Sequence, residues 1–61
     1  MNYYRIKLTD KNIDDFLYVC NKLNFIVTAI ACNKQGYIAI YKGRYKINDL
    51  QEVYMMVLEG E

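Results

Sequence analysis

Hydrophobic and polar positions alternate along Asn2 to Leu8: Tyr4, Ile6 and Leu8 fall in one phase, Tyr3, Arg5 and Lys7 in the other. That period of two predicts a half-buried strand. The period then changes. Ile13, Phe16, Leu17, Cys20 and Leu23 recur at spacings of three and four, which predicts a helix over Asn12 to Leu23. Thr9, Asp10 or Asn12 would cap it, Asp14 and Asp15 suit its first turn, and Asn24 can end it. Phe25 to Cys32 is almost wholly apolar and β-rich, which predicts a central strand covered on both sides.

"NKQG" follows as a turn in which Gly36 takes a positive φ. Tyr37 to Tyr41 is the next strand. Lys42-Gly43 reads as a two-residue hairpin loop, with Arg44 to Ile47 returning. Asn48 or Asp49 then caps a second helix, with Gln51 or Glu52 completing a capping box and Gly60 stopping it. Its core stripe is Leu50, Val53, Tyr54 and Val57. The expected fold is α+β: one domain over residues 1–61, a two-layer sandwich with an antiparallel sheet and two helices on one face, in the order β-α-β-β-β-α.

A loop at Lys42-Gly43 pairs Tyr41 with Arg44 and Ala39 with Lys46. Ile38, Ile40, Tyr45 and Ile47 would then face the helices. Tyr37, Ala39, Tyr41, Arg44 and Lys46 would face outward, beside Tyr3, Arg5 and Lys7 of the first strand. Ile26 and Ile30 would also reach that face if Phe25, Val27, Ala29 and Ala31 point inward.

Charge sharpens this picture. The chain carries a formal net charge of only +1, so bulk electrostatics selects no partner. Its seven acids nevertheless (Asp10, Asp14, Asp15, Asp49, Glu52, Glu59 and Glu61) fall in helical segments or at their ends. Arg5, Lys7, Lys34, Lys42, Arg44 and Lys46 fall on strands or hairpin loops. An outer face of tyrosines interleaved with bases suits single-stranded nucleic acid: Tyr3, Tyr37 and Tyr41 would stack on bases, while Arg5, Lys7, Arg44 and Lys46 would hold phosphates. The same residues also simply hydrate the open side of a one-sided sheet.

The other reading is protein contact. Five apolar residues run from Tyr54 to Leu58, more than one helix face can hide. Met55, Met56 and Leu58 are the expected interface of a homo-oligomer, a common recourse for a domain that buries only about 60% of its unfolded surface. An inhibitor or adaptor, such as an anti-defence (anti-CRISPR-like) protein of a phage or mobile element that meets a host protein, fits this reading. Abundant Ile, Tyr, Lys and Asn, with A/T-rich codons, point to an AT-rich genome such as that of a low-GC bacterium or its phage.

Candidate chemistry is sparse. There is no histidine, which removes His-activated nucleophiles and His metal sites. The single loop glycines make no phosphate-binding motif. Asp10, Asp14 and Asp15 offer a carboxylate set for Mg²⁺, as a metal-dependent nuclease needs, but acids at a helix start are ordinary capping. No enzyme activity, cofactor or metal is expected. Cys20 and Cys32 lie twelve apart in apolar segments, without zinc or redox spacing, and read as buried free thiols of a reducing compartment. Tyr3, Tyr4, Arg5 and Lys7 interrupt any apolar run at the start, and no segment approaches the ~20 apolar residues of a membrane span. A cytoplasmic protein is the expectation.

The closing unit "YKGRYKINDLQEVYMMVLEG" resembles the end of the single-stranded-DNA-binding positive cofactor four family, where a strand with a Gly-basic start runs into a terminal helix. Gly43, Arg44, Ile47 and a helix over Asp49–Leu58 carry the resemblance. It implies a curved, basic, aromatic sheet that binds unpaired DNA in a dimer. The helix at Asn12–Leu23 has no counterpart in that family's run of strands. The same stretch resembles the middle of the histidine-phosphocarrier family, where "YKG" hairpins precede a short helix. That family uses a phosphorylatable histidine, so a relative with this sequence would lack phosphotransfer.

Overall fold

A computed structural model describes residues 1–60; Glu61 lies outside the described residues. Three strands and two helices follow one another: β1 (Asn2–Leu8), α1 (Ile13–Leu23), β2 (Ile26–Asn33), β3 (Gly36–Gly43) and α2 (Leu50–Glu59). The sheet is antiparallel with order β1-β3-β2; α1 packs its buried side on the core, and α2 packs against α1 with its inner residues bordering the same core. The expected α+β sandwich is therefore present. Three of its details differ from expectation.

The first concerns the hairpin. Asn33 pairs with Gly36, so the two-residue loop is Lys34-Gln35, and the Asn33 side chain accepts from the Gln35 amide at 2.8 Å. Gly36 takes φ +132°, and a Cβ there would run into the Leu8 carbonyl. The second hairpin, expected at Lys42-Gly43, does not form. β3 runs straight on through Gly43, which pairs with Asn2, and Arg44 to Ile47 leaves the sheet as a loop toward α2. Gly43 serves close packing instead: a Cβ would sit 2.9 Å from the Phe25 ring.

The second is strand order. β2 was expected at the centre but is an edge, and β3 takes the middle. The crossover through α1 makes β1 and β2 parallel, with one strand width between them that β3 fills from the hairpin.

The third is phase. The ladder places Tyr41 opposite Tyr4 and Ala39 opposite Ile6, so Tyr37, Ala39 and Tyr41 face the helices and Ile38 and Ile40 face outward. Tyr41 and Ala39 are wholly buried. The reversal follows from the missing hairpin, because pairing with Arg44 and Lys46 was what turned the odd residues of β3 outward. The buried ring is then held on several sides. Phe25 stacks on it at 5.8 Å and 11°, Phe16 meets it edge-on at 5.5 Å, and Tyr4 tilts against it at 5.6 Å. Leu8, Val19, Cys20 and Ile47 complete the core.

Local signals at the helix ends act as their residue types suggest. Asn24 ends α1 with φ 61°, a left-handed cap. Asp49 caps α2 by accepting from the Glu52 amide at 3.2 Å. Asn12 instead closes the turn before α1, accepting from the Thr9 amide at 2.8 Å. α2 leans on α1, with Tyr54 edge-on to Tyr18 at 5.8 Å. Leu50, Val53, Tyr54 and Val57 form its inner stripe, each only half-buried. None of the described helices is long and apolar enough to cross a membrane.

Candidate functional site

The side of the sheet turned away from the helices is built in rows by the two ladders. Tyr3, Lys42 and Ile26 make one row, Arg5, Ile40 and Ala29 the next, and Lys7, Ile38 and Ala31 the third. β1 thus contributes an aromatic and two cations along one margin, while β2 contributes small and aliphatic groups along the other. Strands lie about 4.8 Å apart, so the face is roughly 10 Å from margin to margin. The Lys42 ammonium lies 5.7 Å from the centre of the Tyr3 ring, within cation–π range. No acid occurs on any of the three strands among the described residues. The face is positive at β1 and apolar toward β2.

A bulge determines which β2 residues belong here. The register with β3 slips between Val27 and Ala29, and the Thr28 hydroxyl donates to the Ile40 carbonyl at 3.1 Å. Before the slip Ile26 faces outward; after it Ala29 and Ala31 do. Ile26 therefore reaches the outer face, while Ile30, opposite Ala39, points to the helix side.

Of the expected binding residues, Tyr3, Arg5 and Lys7 are on this face and exposed. Four are not. Tyr41 is core. Tyr37 lies on the helix side, half-buried, and the neighbouring Asp10 carboxylate, a hydrogen-bond acceptor and a negative charge, pushes its pKa above the usual tyrosine value. Arg44 turns back to α1: its guanidinium packs 5.3 Å from the centre of the Phe25 ring and donates to the Leu23 carbonyl at 3.2 Å. Lys46 is exposed in the loop before α2, off the sheet. Once β3 ends at Gly43, no strand carries Arg44 and Lys46 to the outer face. Lys42, Ile38 and Ile40 take the vacated positions. Their in-phase partners on β1 were legible, but the assumed loop moved Lys42 out of the strand.

Met55, Met56 and Leu58 are all exposed, Met56 the most at 62%. Met56 also borders an open groove between the helices, with Lys22, Tyr45, Val53 and Gly60. Asp10, Asp14 and Asp15 do not converge; among the described residues no three acidic or thiol side chains are placed to hold a metal ion. The thiols separate. Cys20 is buried and its pKa is pushed up to about 11 by desolvation, whereas Cys32, expected in the interior, is exposed on β2 because that strand is an edge. Both are free.

Comparison with family models, with characterised proteins and with solved structures gives no match.

Proposed function

We propose that this chain is a non-enzymatic binding protein, an adaptor or inhibitor, whose outer sheet face docks on an acidic protein surface. One observation carries the reading. Arg5, Lys7 and Lys42 border an aliphatic floor of Ile38, Ile40, Ala29 and Ala31 in which no acid occurs. An apolar floor supplies area that water leaves favourably, and a one-signed margin steers and orients an acidic partner. Such a face suits a protein better than a base-stacking platform, because Tyr37 and Tyr41 are on the helix side of the sheet.

Binding of single-stranded nucleic acid is the second reading. It is favoured by Tyr3, 63% exposed with Lys42 against its ring, next to Arg5 and Lys7. Base stacking on one tyrosine contributes about 1–3 kcal/mol, and the three cations would contact phosphates.

Two probes decide between them. The intact protein, used as bait in cells that encode it, should cross-link one protein stoichiometrically. That product should vanish in the double variant Arg5→Glu/Lys7→Glu and persist in Arg44→Ala. A labelled single-stranded oligonucleotide that binds at low salt, and binds more weakly to Tyr3→Ala, would establish the second reading instead. A face that does neither would overturn both.

A further inference from the structure

The two edges of the sheet differ in chemistry. β1 carries Arg5 and Lys7 along its length, a common protection against strand-to-strand association. β2, "IVTAIACN", carries no charge and no proline over eight residues, yet it is also an edge with a row of backbone N–H and C=O groups turned to solvent. Its only blunting device is the bulge at Thr28, which leaves Ala29 to Asn33 in regular register.

The surroundings of that edge are apolar on both sides. Ile26 is 55% exposed on the outer side, and Ile30 is 44% exposed on the helix side. On the helix side, Leu8 of β1 is buried and Tyr4 and Ile6 are half-buried, whereas Ile30 and Cys32 of β2 are exposed. Leu17, also exposed, lies on the flank of α1 opposite Lys22, the residue that borders α2.

We propose that β2 is the self-association edge: two copies pair antiparallel through Ala29–Asn33 about a twofold axis, making one six-stranded sheet. The occupant has to be an extended strand, because only a strand satisfies the free backbone groups of another. A second β2 meets this one with no like charges opposed, whereas β1 paired with its own copy would set Arg5 and Lys7 against their equivalents. Pairing β1 with β2 of another copy is head-to-tail and would grow without closing; the β2 pair is isologous and closes at two. A twofold axis normal to the sheet keeps both outer faces on one side. The product carries its cation columns at the far margins, about 24 Å apart at five strand spacings. The pairing holds whichever partner the outer face takes.

Sedimentation equilibrium of the full chain and two variants tests this. Wild type should show twice the chain mass. Ile30→Lys, a change at an exposed site, should raise the dissociation constant at least tenfold, while Met56→Lys should leave it unchanged. A wild-type monomer at millimolar concentration would overturn the proposal, as would dissociation by Met56→Lys but not by Ile30→Lys. Wild-type hydrogen exchange gives a check without substitution. Amides within Ala29–Asn33 should slow as concentration rises; concentration-dependent slowing confined to α2 or to β1 would refute the β2 seam.

Discussion

The hydroxyl of Tyr41 accepts a hydrogen bond from the buried Ile47 amide at 2.6 Å and lies 3.4 Å from the Tyr45 carbonyl, to which it donates. A side chain at the centre of the sheet thereby takes the place of a backbone ladder. The segment leaving β3 has no strand to pair with, and Tyr41 supplies both a donor and an acceptor for it.

Tyr41→Phe keeps the ring and removes that service. The Ile47 amide is then buried without a partner, which costs about 1–3 kcal/mol. Urea unfolding should show the midpoint falling with an unchanged slope. A loss below about 0.3 kcal/mol would mean that the loop finds another acceptor.

Gly43→Ala discriminates close packing from a turn. A Cβ 2.9 Å from the Phe25 ring has to displace that ring from its stack on Tyr41. Overpacking of this kind costs typically 1–3 kcal/mol. Thermal unfolding followed by circular dichroism should register it as a clear fall in Tm. A neutral outcome would show the Phe25 ring free to move.

Arg44→Ala should behave as a structural change and not a binding change. The guanidinium closes a carbonyl near the end of α1 and covers Phe25. Exposed contacts of this kind are worth about 1 kcal/mol together. Stability should fall by that amount while affinity for the partner of the outer face stays level. A large affinity loss at constant stability would return Arg44 to the binding site.

Alkaline pH should weaken the fold through Cys20. Its folded pKa is raised from 9.0 to about 11, so the unfolded chain gives up the proton first. The stability held by the protonated, buried thiol is complete below pH 9 and is lost as pH rises toward 11. Two pKa units correspond to roughly 3 kcal/mol. Tyr41, also raised by burial, adds a loss beginning near pH 10. Denaturant titrations between pH 8 and pH 11 should show this slope, and Cys20→Ala should flatten the portion between pH 9 and pH 10. An unchanged slope in that variant would remove Cys20 as the cause.

Much of the chain was legible in its local chemistry. Spacings of three and four placed both helices to within a residue or two. Asp49, Asn24 and Gly36 each took the role that its side chain or its freedom of φ suggests. The phase of β1 was equally clear, because its two faces differ sharply: Tyr4, Ile6 and Leu8 against Tyr3, Arg5 and Lys7. These features depend on neighbours within about one turn or one strand, so they follow from local residue order alone.

The sheet's long-range pairing was another matter. Both phases of β3 are apolar enough to be a core face, Tyr37, Ala39 and Tyr41 in one and Ile38 and Ile40 in the other, so periodicity could not choose between them. The choice came from β1, more than thirty residues away in sequence, whose register set Tyr41 opposite Tyr4. A ring that fits between Phe16 and Phe25, with a hydroxyl that reaches Ile47, then made that phase the better packed one. The same pairing sent β2 to the edge, exposed Cys32 and brought Lys42 beside Tyr3. The strands and helices followed from local sequence; which face meets the core and which meets a partner was decided only when the strands met.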